Sequence, residues 1–255
     1  MMFKHNDADV IVATNHTAIQ KVCAWSGPAC ILFMFTGFFI AGFLPPMPTS
    51  WSQAEVAAHY RENANTIRMG AVLVMTASMF YASFTAVFSG QMRRIPGMHS
   101  TVVYTQLAGG AFGCLTFLVP GLLFIVTAFR PERSPELTMM LNDMSWIFLI
   151  MPFTPFMVQN FAFAYAIFSD KRQQPLFPRW LGYVNIWAPI MFTPVVIVPF
   201  FRSGPFAWSG IFGFWVPAIA FGLQFIANMI FLLRAINRPE SEDAPQSSPG
   251  STLVV

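Results

Sequence analysis

The sequence predicts an all-α, polytopic integral membrane protein: a six-helix transmembrane bundle with proline-kinked helices in its C-terminal half. Three observations carry that expectation. The chain of 255 residues is 55% hydrophobic and only 10% charged, whereas soluble domains are about a quarter charged. Six apolar runs are each long enough to cross the roughly 30 Å hydrocarbon core of a bilayer as helix. Pro152, Pro155, Pro189, Pro194, Pro199 and Pro217 fall inside the last three runs, where each removes a backbone donor and bends its helix.

Residues 1–21 are polar and mixed in charge and read as a cytoplasmic segment before a six-span domain at 22–236. The first span, 22–44, is too long for the apolar core of a signal peptide and ends at Leu44-Pro45-Pro46. An external segment follows, in which Ser52-x-x-Glu55 is a capping-box pattern and predicts a short surface helix leading into the next span. Trp51 and Tyr60 suit an interfacial depth. Span two, about 69–88, carries the hydroxyls of Thr76, Ser78, Ser83 and Thr85, which can bond their own helix or a neighbour.

Span three, about 102–129, contains Gly109-x-x-x-Gly113, a small-residue face that lets another helix approach closely. Packing inside the bundle is its plainer role; contact with a second copy or a different chain is the other. Span four, about 144–168, is preceded by Ser134-Pro135, a helix start with proline at the first helical position. No charge interrupts Met144 to Phe168, a stretch about 37 Å long as helix. Pro152 and Pro155 fall midway and should leave carbonyls free for a side chain, water or ligand. Asp143, Ile150 and Met157 share a heptad spacing, as do Trp146, Phe153 and Asn160, so one face combines an acid, aromatics and an amide. That face should point into the protein.

Spans five and six are about 181–201 and 206–233, and the Pro/Ser/acidic tail 237–255 has the composition of a disordered segment. Six spans put both termini on one side, which holds nine of the fourteen Lys and Arg. The positive-inside rule then makes that side cytoplasmic, in an inner or plasma membrane.

Buried polar groups are the candidate site. Gln106, Gln159, Asn160, Asn185, Gln224 and Asn228 all fall toward the cytoplasmic half and form an amide layer. Interhelical bonds among amides are worth about 0.6 to 2 kcal/mol each, so the plain reading is a lock on the bundle. The functional reading is a cavity lined by these amides and by carbonyls freed at prolines, as in broken-helix substrate sites. Gln106, Asn160, Asn185, Gln224, Asn228, Asp143 and Trp146 are the ligand-binding candidates. Asp143 should have an arginine partner, Arg68 or Arg130, because an unpaired carboxylate at a membrane edge is costly.

Several chemistries are disfavoured. The four histidines, His5, His16, His59 and His99, lie outside the expected spans, which argues against haem or histidine-metal centres, and Lys4, Lys21 and Lys171 leave no lysine in a span for a Schiff base. Cys23, Cys30 and Cys114 read as small core residues. P-loop, G-x-S-x-G and H-E-x-x-H motifs are missing, no catalytic constellation stands out, and no cofactor or nucleic-acid partner is implied. The expected partners are the bilayer and a small hydrophobic molecule, bound or transported in an inter-helix cavity lined with Phe and Met. The alternative is a non-catalytic accessory subunit, using the Gly109/Gly113 face for a homo-oligomer or hetero-complex.

Overall fold

The computed structural model describes the backbone of residues 7–239 and the side chains of residues 17–239. The expected termini, 1–6 and most of the tail (240–255), lie outside the described residues. Every element described is helical: α1 (Asp7–Ile40), α2 (Gln53–Glu62), α3 (Ala64–Met92), α4 (Ser100–Gly113), α5 (Leu115–Phe129), α6 (Pro135–Ile150), α7 (Phe153–Ser169), α8 (Arg179–Ile190) and α9 (Val216–Asn237). Six stretches are long and apolar enough to cross a membrane: Thr17–Ile40, Ala64–Met92, Ser100–Phe129, Pro135–Ser169, Arg179–Phe200 and Ile211–Asn237. The protein is an all-α, six-span membrane bundle.

The capping box forms as its sequence predicts. Ser52 N–H donates to Glu55 Oε2 at 2.7 Å and Glu55 N–H donates to Ser52 Oγ at 3.3 Å, starting α2 on the surface. At Ser134-Pro135 a helix does begin, but the Ser134 side chain makes no cap bond; its carbonyl accepts from Thr138 N–H and Oγ1 instead.

The central element is α3, on which α1, α4, α5 and α9 all pack. Glycines set those distances. A Cβ on Gly37 would lie 2.6 Å from Gly70 O, and one on Gly70 would strike Gly37 O and come within 2.8 Å of Ala41 N, so α1 and α3 touch backbone to backbone. We expect Gly70→Ala to cost about 1–3 kcal/mol, since neither backbone can yield cheaply. Thermal unfolding in detergent measures it; an unchanged midpoint would contradict the close crossing.

Glycines from α4 and α5 also meet α3. A Cβ on Gly113 would lie 3.1 Å from Tyr81 Cε1, one on Gly110 would strike Thr85 Oγ1, and one on Gly121 would lie 2.8 Å from Met75 N. On its other side α4 meets α7, where a Cβ on Gly109 would fall 2.8 Å from Gln159 N and 2.9 Å from Pro155 O. The Gly109/Gly113 face is therefore filled within the chain, by α7 and Tyr81.

The prolines act in four ways. Pro28 and Pro120 are accommodated within α1 and α5. Pro152 breaks span four into α6 and α7: its φ of −74° and ψ of 52°, with Phe153 N–H donating to Met151 O at 2.7 Å, make an inverse γ-turn. Pro155 then sits harmlessly in the first turn of α7, where its missing N–H costs little. In span five, α8 tightens beyond Ile190 into a 3₁₀ stretch at Thr193–Phe200 that contains Pro194 and Pro199. Span six opens with one π-turn at Ile211–Trp215, closed by Val216 N–H to Ile211 O.

Both ends of the bundle are tied. At the end carrying α2, Trp208 Nε1 donates to Met47 O at 2.9 Å, Thr49 Oγ1 to Arg202 O at 2.6 Å and Arg61 Nε to Pro131 O at 3.1 Å. At the end near the termini, Arg94 Nη1 and Nη2 donate to Ala235 O at 2.6 Å and Arg238 O at 2.8 Å.

At that same end, Asp170, 2% exposed, accepts from Arg172 Nη2 at 2.6 Å and from Leu176 N–H at 2.9 Å. Burial opposes its ionisation, but the Arg172 guanidinium and the Leu176 and Arg172 amides outweigh it and hold the carboxyl below its usual value. A depressed folded value means the stabilisation is complete above an unfolded carboxyl's pKa of about 4 and is lost as pH falls through the folded one. Asp170→Asn should loosen the 170–178 loop by about 2 kcal/mol at neutral pH and remove that acid dependence. Hydrogen exchange at Leu176 against pH reads both.

Candidate functional site

Four of the seven candidate residues form one hydrogen-bonded group. Asn160 on α7, Asn185 on α8, and Gln224 and Asn228 one turn apart on α9 converge where these helices meet. Gln224 Nε2 donates to Asn160 Oδ1 at 2.5 Å and to Asn185 Oδ1 at 2.8 Å. Asn185 and Asn228 exchange two bonds, of 2.8 and 2.9 Å. Asn185 Nδ2 also donates to Leu181 O at 2.8 Å, and Asn160 Nδ2 to Phe156 O at 2.7 Å, fixing both side chains to their own helices. Asn185 is the hub.

One oxygen of the network has no donor. Gln224, 2% exposed, has both N–H groups committed, while its Oε1 is buried without a donor. A buried amide oxygen left unpaired costs about 1–3 kcal/mol. Gln224, Asn160 and Asn228 line a cavity of about 20 Å³ with Tyr81, Gln159, Phe156 and Phe221. That is room for one water-sized polar group, which needs at least about 10–15 Å³.

A larger cavity lies beside it at the α6–α7 break. It has a volume of about 90 Å³, is partly open, and is lined by Tyr81, Gly113, Thr116, Phe117, Leu149, Ile150, Pro152, Phe153, Phe156, Phe192 and Phe221. The inverse γ-turn at Pro152 ends one helix and starts another, and Ile150, Pro152 and Phe153 around it line this space. Tyr81, Phe156 and Phe221 line both cavities. Phe156 contacts Phe221 at 5.5 Å and Phe192 at 5.0 Å between ring centroids, so aromatic rings border both the apolar and the amide space. Tyr81 O–H donates to Gln159 Oε1 at 3.1 Å, which anchors its ring at that wall. No charged residue lines either cavity.

The other candidates lie apart. Gln106 is buried between α3 and α4, bonded to Ser89 Oγ and donating to Thr85 Oγ1 at 3.0 Å, and lines neither cavity. It clamps two helices. Trp146 is fully buried toward the α2 end among Phe43 at 5.3 Å, Phe124 at 5.5 Å and Trp208 at 6.4 Å. Asp143, one turn away, accepts from Asn142 Nδ2 at 3.4 Å, and Asn142 Oδ1 accepts from Tyr60 O–H at 3.1 Å.

The expected arginine partners of Asp143 are otherwise engaged or absent. Arg68 Nε donates to Ala128 O at 2.9 Å, capping the end of α5, and no ion pair joins Asp143 to Arg130 among the described residues. Among the described residues no arginine forms an ion pair with Asp143, whose side-chain contact is the neighbouring Asn142 amide.

Of the lining residues that were not candidates, Pro152 was marked by its position in mid-span, and Ile150 and Phe153 by the heptad faces. Tyr81, Phe156, Phe192 and Phe221 carried no such mark in a chain with 29 phenylalanines. Among the described residues no group of three or more His, Cys, Asp or Glu could hold a metal ion. No protein-family model, curated protein or solved structure matches the chain.

Proposed function

We propose that this membrane protein binds, and in the course of transport passes, a small, largely hydrophobic molecule in the cavity at the α6–α7 break. One observation carries the reading: an aromatic cavity of about 90 Å³ adjoins, across Tyr81, Phe156 and Phe221, an amide space in which Gln224 Oε1 has no donor. A broken helix beside buried amides is the arrangement in which membrane transporters hold substrates near the bilayer middle. Apolar walls with few polar groups suit an uncharged guest. The Lys/Arg bias supports a cytoplasmic location for both termini, which puts the amide space nearer the cytoplasm than the aromatic one.

Tritiated toluene tests the reading by equilibrium dialysis against the protein in nanodiscs, with protein-free nanodiscs as the blank. Retention above the blank is expected, together with its loss in Leu149→Trp, which fills the aromatic wall. Retention equal to the blank would overturn the proposal.

The accessory-subunit reading draws on a different observation. Span four is the least buried of the six, and Leu137, Met140, Met144 and Phe148 stand exposed along α6. Such a stripe suits a neighbouring helix as well as lipid.

A further inference from the structure

We infer that the guest carries a hydroxyl group, and that this group seats against Gln224 while the apolar remainder fills the aromatic cavity. The inference rests on the binding reading above and names the chemical class of its ligand. Gln224 lines the 20 Å³ space and its Oε1 is a buried acceptor without a donor, so a group that completes the site there must donate a hydrogen bond. Asn160 Nδ2 and Asn228 Nδ2 each make one hydrogen bond, to Phe156 O at 2.7 Å and Asn185 Oδ1 at 2.9 Å. An amide nitrogen has two N–H groups, so each keeps one for an acceptor.

A group that both donates and accepts through a single oxygen matches this pairing, and a hydroxyl is the smallest that does so on an organic molecule. A carboxylate cannot donate to Gln224 Oε1, and no cationic side chain lines the space to neutralise it. An ammonium finds no carboxylate there either. Ethers, ketones and pure hydrocarbons fill the aromatic cavity but leave the Gln224 oxygen unpaired. Tyr81, Phe156 and Phe221 line both spaces, so the polar end and the apolar body of an aryl or alkyl alcohol have adjoining room.

Two isomers separate the donor from everything else about the guest. 4-Methylphenol and methoxybenzene have the same atoms, one ring and one oxygen, but only the first donates. Equilibrium dialysis of each, tritiated, against wild-type protein in nanodiscs should show 4-methylphenol held about tenfold more tightly or better, the range expected for pairing a buried acceptor. Gln224→Met, similar in shape and without the amide, should abolish the preference while still retaining methoxybenzene. The comparison in wild type does not depend on that variant folding. Equal retention of the two isomers overturns the hydroxyl assignment and leaves the cavity reading standing, as would follow if a bound water satisfied Gln224. Retention of neither isomer overturns both.

Discussion

Asn185→Leu should destabilise the bundle by about 2–3 kcal/mol, the largest loss expected from any single amide in the structure. Asn185 is fully buried and takes part in bonds with Leu181 O, Asn228 and Gln224 on two helices. Leucine removes all of them and strands a Gln224 N–H and both polar atoms of Asn228. Fully desolvated orphans would cost about 1–3 kcal/mol each, which would sum to more. Measured interhelical bonds in membranes average nearer 0.6 kcal/mol, because the unfolded chain in lipid also finds partners for its amides. Three interhelical bonds at that value, together with the bond to Leu181 O within α8, set the expected loss. Asn160→Leu should cost less than half as much, since Asn160 supplies a single interhelical bond, to Gln224. Thermal or denaturant unfolding of the three proteins side by side gives the order; equal losses would mean that α8 is not the hub.

Filling the aromatic cavity should do the reverse. Leu149→Trp places a larger ring against Tyr81, Phe156 and Phe192 in a space of about 90 Å³ that side chains leave open. Overpacking a closed core costs about 1–3 kcal/mol, but this cavity is partly open, so the stability change should stay under about 1 kcal/mol. Binding should fall at least about tenfold, because the indole and a guest cannot share the space. The contrast is diagnostic: Asn185→Leu weakens folding first, and Leu149→Trp weakens binding first. If both variants lost stability and binding in proportion, the cavity would be an ordinary packing defect.

The six spans were legible because a membrane helix advertises itself by length and lack of charge, and that signal does not depend on what the helix touches. The four networked amides were legible for a related reason. Asn160, Asn185, Gln224 and Asn228 lie in apolar runs, where each needs a partner, and they find one another across α7, α8 and α9. Gln106 sent the same signal and found Ser89 and Thr85 instead, because hydroxyls on the adjacent helix were nearer than the amides across the bundle.

Pairings set by tertiary distance were not legible. Asp143 meets the Asn142 amide rather than Arg68 or Arg130, and Asn142 in turn meets Tyr60 from α2, contacts that no local pattern predicts. Trp146 shares a heptad face with Phe153 and Asn160, yet the γ-turn at Pro152 separates α6 from α7, and Trp146 joins an aromatic cluster away from the cavities. The proline pair announced a break without saying which residue makes it: Pro152 does, whereas Pro155 falls in a first turn that tolerates it. Tyr81 was invisible for the plainest reason. An aromatic ring in an aromatic-rich span means nothing until its hydroxyl is seen on Gln159.

Native mass spectrometry of wild type and Leu149→Trp, each extracted gently from its own membranes, tests the central claim most directly. The cavity account predicts that wild type releases a discrete small molecule on activation and that Leu149→Trp, folded and extracted in the same way, releases none. Identical spectra from the two proteins would contradict it, whether both arrive bare, both retain the same molecule, or both arrive bound to other polypeptides. In the last case the chain's function would lie in its outer faces.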